Sequence, residues 1–208
     1  MKQSHEKWFE ENKRILEKAY LKHIEPWKQS GFSGPVERWS ACRKPVAECV
    51  DKSGTFLDVG CANGYLIECL IKWLKEKNVE IIPFGLDISE KLIELAKQRV
   101  SEFENNFYTG NAFNWKPPLK FDYVRAELVY VPEELKKDFI NKLMNDYLND
   151  TGKLLVCEYR SANDMDNKVR INEELQNLGF NVESCCSGYW EEKELTRIAV
   201  ILKKENQS

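Results

Sequence analysis

Residues 55–66, TFLDVGCANGYL, form an apolar stretch and a glycine-rich turn, after which the apolar pattern resumes. Gly60 and Gly64 lie on either side of Ala62 in the turn. A glycine-rich turn between a strand and a helix lets the backbone approach a ligand closely. The spacing does not match the GxGxxG pattern of dinucleotide-binding turns. The turn therefore favours a ligand that has no diphosphate.

Two acidic residues accompany this turn. Asp87 ends the apolar segment IIPFGL, and a carboxylate at such a position can accept hydrogen bonds from both ribose hydroxyls. The alternative is that Asp87 only helps to start the next helix. Asp58 lies within the first strand and is costly to bury alone, so we expect it to accept loop N–H groups or to position a ligand ammonium. Together these residues suit an adenosine ligand that carries a sulfonium amino acid.

The elements that must position these residues alternate between strands and helices from residue 54 onward. This order predicts a doubly wound, mostly parallel sheet with helices on both faces, an α/β fold. Strands are predicted at 55–60, 81–88, 106–110, 121–127 and 153–159, the last after a turn at 149–152. Helices are predicted at 65–76, from Ser89 to about 103, from Pro132 to 147 and over about 166–178, where Gly179 ends the helix.

The two ends of the chain differ from this alternation. Residues 180–187 and 195–203 are two strand patterns joined without a helix, which predicts an antiparallel C-terminal hairpin and seven strands in total. Residues 1–53 precede the core and contain a helical stripe from Trp8 to Trp27, followed by a break at 30–35. We therefore predict one domain, in which an N-terminal helical lid (1–53) covers a core at 54–208.

The composition of the chain limits which classes of partner it is expected to bind. The chain has 31 basic and 34 acidic residues and a formal charge of −3, so no overall field attracts nucleic acid or an anionic membrane. Long apolar runs and a secretion signal are not visible, which predicts a cytoplasmic location and no membrane contact. The seven cysteines lack CxxC spacing and the chain has two histidines, which predicts no metal site and no disulfide framework.

Five motifs resemble those of class I S-adenosylmethionine-dependent methyltransferases, in the same order along the chain. They are LDVGCANG (57–64), GLDIS (85–89), GNAFNW (110–115), FDYVRAELVYVP (121–132) and GKLLVCEY (152–159). The resemblance covers roughly residues 54–204, terminal hairpin included. It implies the Rossmann-like fold of that family and S-adenosyl-L-methionine as the cofactor.

The resemblance also implies the cofactor-binding residues. The methionine end is expected at Asp58, Gly60, Cys61, Ala62 and Gly64, the ribose at Asp87, and the adenine near Ile88, Asn111 and Ala112. The sequence departs from the family twice. Asn111 stands where an aspartate often accepts a bond from the adenine amino group, although an amide oxygen can accept the same bond. Ala62 replaces a glycine and is expected to tighten the loop slightly.

The candidate catalytic residues follow the fourth predicted strand. Glu127 occupies a position where family members that methylate amide or amino nitrogens often have a polar residue. It is a candidate to take a proton from the acceptor or to bind a cationic amine, against the alternative of a solvated loop acid. Tyr130 either orients the acceptor or packs. His23 is a candidate base only if it folds over the site.

Arg38, Trp39 and Arg43 are candidates to contact the carboxylate of the cofactor or the substrate, against ordinary packing.

The predicted activity is methyl transfer to a nitrogen or oxygen of a small polar acceptor, because no long insertion offers a surface for a polymer. An RNA methyltransferase is one alternative, since residues 1–50 contain ten Lys or Arg, seven acids and three tryptophans. A noncatalytic adenosine-ligand-binding subunit is another. The acceptor and the oligomeric state are left open.

Overall fold

A computed structural model describes residues 2–161 and 169–203. Its helices are α1 (Lys2–Tyr20), α2 (Val36–Arg43), α3 (Pro45–Glu48), α4 (Tyr65–Lys75), α5 (Glu90–Arg99), α6 (Lys136–Lys142) and α7 (Ile171–Asn177). Its strands are β1 (Gly54–Val59), β2 (Ile81–Asp87), β3 (Phe107–Thr109), β4 (Phe121–Ala126), β5 (Leu148–Tyr159), β6 (Ser184–Trp190) and β7 (Lys193–Leu202). The strand order is β3-β2-β1-β4-β5-β7-β6.

The first five strands are parallel to one another, and β7 runs antiparallel to both β5 and β6. The predicted fold class, a mostly parallel seven-stranded sheet with a terminal hairpin, is confirmed. Side chains alternate between two apolar layers, as the two-residue period of a strand requires. Leu57 and Val124 pack on the α6 and α7 side, whereas Phe56, Tyr123 and Leu155 pack on the α3 and α4 side.

The helix predicted after Pro132 is correct in position but is not one regular α-helix. A 3-10 turn at Glu133–Leu135 precedes α6, and a π-helical turn at Leu143–Tyr147 follows it. Leu143 and Tyr147 are nevertheless fully buried, as the apolar stripe predicts. The Tyr147 hydroxyl donates to the Ala112 carbonyl at 2.6 Å, which holds the π-helical turn against the loop that follows β3.

The turn predicted at 149–152 is wrong, because these residues lie within β5 as a bulge. Phe121 pairs with Leu148 and Tyr123 pairs with Lys153, so six residues of β5 (148–153) face only three of β4 (121–123). The Asn149 side chain donates to Asp122 at 3.0 Å across the bulge. This long-range contact has no local sequence signal.

The C-terminal hairpin is tighter than predicted, since its strands reach 190 and resume at 193. Glu191 and Glu192 form the turn with φ values of 48° and 65°. Such left-handed conformations usually require Asn or Gly, so two glutamates are no local signal for a turn. Gly179, at φ 92°, follows α7 as predicted. Residues 166–168 of the helix predicted over 166–178 lie outside the described residues.

The predicted N-terminal stripe is longer than the helix. α1 ends at Tyr20, and Ile15 and Ile24 are 59% and 91% exposed, so these two members of the stripe do not pack. The helix is held at both ends: His5 contacts Glu134 at 3.1 Å, and Glu17 accepts from the Ser89 hydroxyl at 2.8 Å and pairs with Lys91. α1 therefore spans the carboxyl-end edge of the sheet.

Candidate functional site

A cavity of about 480 Å³ lies at the carboxyl ends of the parallel strands, beneath α1. Parallel sheets of this kind bind ligands at that edge. The cavity is lined by the predicted site residues Asp58, Gly60, Cys61, Ala62, Asp87, Ile88, Asn111, Ala112, Glu127 and Tyr130. Gly64 does not line it; this residue, at φ 73°, precedes α4, and a side chain there would meet Ala96 at 3.0 Å.

Hydrogen bonds tie the glycine-rich loop to the end of β2. The N–H groups of Gly60 and Cys61 donate to the Leu86 carbonyl at 2.7 and 3.2 Å, and the N–H of Ala62 donates to Asp87 at 2.9 Å. These N–H groups are therefore not free to bind a ligand, and they do not donate to Asp58, contrary to one of the two expectations for that residue. Three of the loop carbonyls are bonded as well: Cys61 accepts from the Gly64 N–H, Ala62 from the Cys61 thiol and Asn63 from Arg99.

Two residues give the loop its shape. Gly60 has φ 74°, and a Cβ at that position would lie 2.5 Å from the Tyr130 ring. Ala62 tolerates φ 47°, an uncommon conformation for a residue with a side chain. Cys61 is buried, and its sulfur lies near Gly85 in the apolar layer, so only the Cys61 backbone faces the cavity. The Tyr130 ring lies directly against the Gly60 backbone.

Asp87 connects the loop to the next helix. One carboxylate oxygen accepts from Ala62 and the other from the N–H of Ser89 at 2.9 Å, whose hydroxyl caps α5. Burial raises the pKa of Asp87 to about 6, and the nearby carboxylates of Asp58 and Glu17 contribute to the rise. Each oxygen has a further lone pair for a ligand hydroxyl. The local role and the ribose-binding role of Asp87 are thus compatible.

The predicted adenine end lies beside the loop after β3. The side-chain oxygen of Asn111 already accepts from the Phe113 N–H at 2.9 Å, which forms a local turn. That oxygen retains one lone pair, so Asn111 can still accept one bond from a ligand amino group. Ile88 lies on the same wall and supplies apolar surface.

A buried ion-pair network lies at the ends of β1 and β4. Arg125, 3% exposed, donates to Asp58 at 3.0 Å and to the Tyr130 hydroxyl at 3.0 Å, and it pairs with Glu127. Tyr130 in turn donates to Glu127 at 2.7 Å. Burial raises the pKa of Asp58, while Arg125 opposes the rise. Two carboxylates therefore share one guanidinium, so the network of Asp58, Arg125 and Glu127 carries one net negative charge when both carboxylates are ionised.

Sequence reasoning missed Arg125, although a signal was present. Arg125 and Glu127 are two residues apart in a strand and therefore share a face. That face also carries Asp58 of the neighbouring strand, because Asp58 pairs with Arg125 in the sheet register. A charged residue inside an otherwise apolar strand is expected to have a partner.

The remaining walls come from the N-terminal helices and β5. α1 contributes Trp8, Phe9, Asn12, Lys13, Leu16 and Tyr20, and Trp39, Arg43 and Tyr159 line another side. Arg38 and His23 do not line the cavity. A histidine base at this site has no support in the structure.

Within residues 2–161 and 169–203, no three His, Cys, Asp or Glu side chains are grouped closely enough to hold a metal ion. The described helices include none that is long and apolar enough to cross a membrane. Cys185 and Cys186 lie in β6, within the strand predicted at 180–187.

The chain matches the family model described as a methyltransferase domain over residues 50–203. No match to a curated protein was found. The match covers the sheet, the cavity floor and the network around Arg125, and it begins near the boundary predicted between the N-terminal segment and the core.

Several solved structures share the fold. The complex of DhpI with S-adenosylhomocysteine has a TM-score of 0.65 and 16% identity, over 95% of this chain and 98% of that chain. Magnesium protoporphyrin IX methyltransferase from Synechocystis PCC 6803, with bound S-adenosylmethionine, has a TM-score of 0.59 and 19% identity, over 92% and 97% of the two chains. A TehB-like methyltransferase from Corynebacterium glutamicum has a TM-score of 0.57 and 17% identity, over 81% of this chain and 96% of that chain.

Proposed function

Because this chain belongs to the methyltransferase-domain family and is an S-adenosylmethionine-dependent methyltransferase, we propose that it methylates a nitrogen or oxygen of a small polar acceptor. The observation that carries this proposal is the position of Glu127. Its carboxylate lines the cavity, and its Oε1 atom contacts Arg125 and Tyr130. In the described part of the chain no hydrogen bond to the other oxygen is formed, so that oxygen is free to accept one from an amine or hydroxyl group.

The size of the cavity supports a small acceptor. Pockets of about 300–1,000 Å³ enclose drug-sized ligands, and the cavity of about 480 Å³ must hold the cofactor as well. α1 covers it with Trp8, Phe9 and Leu16, which leaves no open groove over these residues for a polymer. We further propose that residues 1–53 form a lid over this site, held by the contacts of His5 and Glu17.

The site residues have separate roles in this proposal. Bound S-adenosylmethionine supplies an electrophilic methyl group on a positively charged sulfur. Asp87 would accept the ribose hydroxyls, and the backbone of the Gly60 loop would hold the amino-acid end. The net negative charge shared by Asp58, Arg125 and Glu127 favours a positive sulfonium nearby. Glu127 orients the acceptor or takes its proton, and the helical cover excludes water.

A methyl-donor consumption assay against amine, guanidine, hydroxyl and carboxyl metabolites tests the acceptor class. We expect turnover with an amine, guanidine or hydroxyl compound. Turnover only with structured RNA would contradict the proposal and favour the RNA alternative. Binding of S-adenosylhomocysteine without turnover on any panel member or RNA would favour the noncatalytic subunit.

Cofactor affinity is expected to depend on pH through Asp87. Ribose hydroxyls donate to the charged carboxylate, so binding favours the ionised form and lowers the pKa of Asp87 from about 6. The affinity for S-adenosylhomocysteine should therefore be full above pH 6 and fall as the pH drops through that value, by up to about tenfold per pH unit. Calorimetric titration between pH 5 and pH 8 measures this.

Asp87→Ala is the matched control, because it removes the titrating acceptor. Its affinity at pH 7.5 should be at least about tenfold below that of the parent, the cost of losing hydrogen bonds to a charged group. Its pH profile should be flat. A profile as steep as that of the parent would assign the pH dependence to another group and contradict the role of Asp87.

A further inference from the structure

Two cysteine thiols face each other outside the cavity, where the N-terminal segment meets the edge of the sheet. Cys49 follows α3 and is 6% exposed, whereas Cys186 lies half-buried in the edge strand β6. The Cys49 thiol donates to the Cys186 sulfur at 2.8 Å. Because a disulfide bond is about 2.05 Å long, the two sulfurs need to approach by less than about 1 Å to form one.

Packing on both sides holds the two sulfurs in this position. The Cys49 sulfur also lies 3.5 Å from the Pro45 carbonyl oxygen in α3. α2 and α3 approach β6 closely at Gly188, where a Cβ would lie 2.7 Å from the Ala41 carbonyl oxygen and 3.0 Å from Pro45. The contact between the two cysteines therefore belongs to a closely packed boundary between the helices and the strand.

Two neighbouring cysteines are placed less favourably. Cys157 and Cys186 pair with the same residue, Ile198, from opposite sides of β7. Two strand spacings, about 10 Å, therefore separate their backbones, which is too far for a disulfide. Cys185 precedes Cys186 in β6, so its side chain points to the other face of the sheet. Among these three described thiols, Cys186 is the one that contacts Cys49.

The two thiols differ in acidity. The hydrogen bond from Cys49 lowers the pKa of Cys186 to about 7, and the charges of Lys153 and Lys77 act in the same direction against burial and Glu48. The same hydrogen bond, together with burial, raises the pKa of Cys49. The thiolate is the nucleophile in disulfide exchange, and a thiol with a pKa near the ambient pH attacks best. Cys186 is therefore suited to attack first, and Cys49 to react second.

We infer that Cys49 and Cys186 form a reversible dithiol–disulfide site whose oxidant is a small disulfide. The Cys186 thiolate attacks one sulfur of the small disulfide, so that one small thiolate leaves and a mixed disulfide remains. The Cys49 sulfur then attacks the Cys186 sulfur, and the second small thiolate leaves. The two small thiolates take up the protons that the cysteines lose. One disulfide thus forms in the protein, and the small disulfide is reduced to two thiols.

The bond would join positions 137 residues apart and fix α3 against β6. A cross-link over so long a loop restricts the unfolded chain strongly, so the melting temperature should rise by about 4–10 °C. Neither cysteine lines the cavity, so the affinity for S-adenosylhomocysteine should stay nearly unchanged. The inference is therefore independent of the acceptor class proposed above.

The test treats the reduced parent with glutathione disulfide, blocks the remaining thiols with iodoacetamide and digests the protein under non-reducing conditions. All seven cysteines are free thiols in this structure. We expect mass spectrometry to show that two of them are lost and that the peptides containing Cys49 and Cys186 are linked. Dithiothreitol should reverse both the link and the rise in melting temperature.

Three alanine variants separate the two steps. Cys49→Ala should stop at the mixed disulfide, with one glutathione on Cys186. Cys186→Ala should form no disulfide that includes Cys49, since the buried Cys49 thiol has no reactive neighbour. Cys185→Ala is the matched control on the same strand. It removes the more exposed thiol, whose pKa burial raises, and should react as the parent does.

Several results would overturn the inference. They are seven free thiols after the treatment, a parent that stops at the mixed disulfide, and a disulfide that forms without a rise in melting temperature. A disulfide that survives in Cys186→Ala and is lost in Cys185→Ala would assign the reaction to Cys185, which also contradicts the inference.

Discussion

Glu127→Gln is expected to lower the turnover number by about 10²- to 10⁴-fold, the range for general acid–base groups. Glutamine keeps an oxygen that can accept from Arg125 and Tyr130, so the network and the fold should survive. The change removes the charge and turns the free oxygen into a donor. Cofactor affinity should stay within a few fold, because Glu127 acts on the acceptor. Steady-state kinetics with an acceptor from the panel measure the turnover number, and calorimetry measures the cofactor affinity.

The same kinetics separate the two roles of Glu127. Loss of proton transfer lowers the turnover number, whereas loss of uniform acceptor binding raises the Michaelis constant alone. Tyr130→Phe is the comparison, since it keeps the ring against Gly60 and removes only the hydroxyl that bonds Arg125 and Glu127. We expect the turnover number to fall less in Tyr130→Phe than in Glu127→Gln. A Glu127→Gln enzyme as active as the parent would limit Glu127 to a structural role as a partner of Arg125 and Tyr130.

Much of the cavity floor could be predicted from the sequence, because its signals are local. A glycine-rich turn after an apolar strand and an acidic residue at the end of the next strand lie within 30 residues of each other. The parallel order places both at one edge of the sheet. Asp87 lies there with both of its oxygens bonded to backbone N–H groups, one in the Gly60 loop and one in Ser89.

Other features depend on contacts between distant parts of the chain. The partner of Asp58 is Arg125, 67 residues away, and only the sheet register brings the two together. Arg43 and Tyr159 meet because α2 packs beside the terminal hairpin, where the Thr196 hydroxyl donates to the Cys42 carbonyl at 2.8 Å. Neither the Asp58–Arg125 contact nor the Arg43–Tyr159 contact can be predicted from composition or periodicity. The same is true of the bulge in β5, which depends on the Asn149 contact with Asp122.

The helical stripe predicted from Trp8 to Trp27 extends past the end of α1 for a related reason. The spacing of Ile24 and Trp27 fits a helical stripe, but the chain leaves the helix after Tyr20 and packs back onto the core. The Asn63 side chain donates to the Pro26 carbonyl at 3.1 Å and to Gln29 at 2.8 Å. Tertiary hydrogen bonds thus override a local periodicity.

Arg125→Met is expected to lower the free energy of unfolding by about 3–5 kcal/mol, the usual cost of removing one partner from a buried ion pair. Asp58, 1% exposed, would then keep a buried charge without a cation. Without Arg125, burial would raise the pKa of Asp58 unopposed. The loss should therefore be largest at neutral pH and shrink as the pH falls, because protonated Asp58 needs no cation. Urea unfolding at pH 7.5 and pH 5 measures the difference.

Two further variants show whether the buried charge is the cause. Lys72→Met removes an exposed partner of Glu68 and should cost no more than about 1 kcal/mol. The double variant Asp58→Asn, Arg125→Met removes the unpaired carboxylate, so it should be more stable than the sum of the single changes by about 0.5–3 kcal/mol. Additive losses, or a loss in Arg125→Met no larger than that in Lys72→Met, would mean that water reaches Asp58 in the native state. The network would then position Glu127 without contributing to stability.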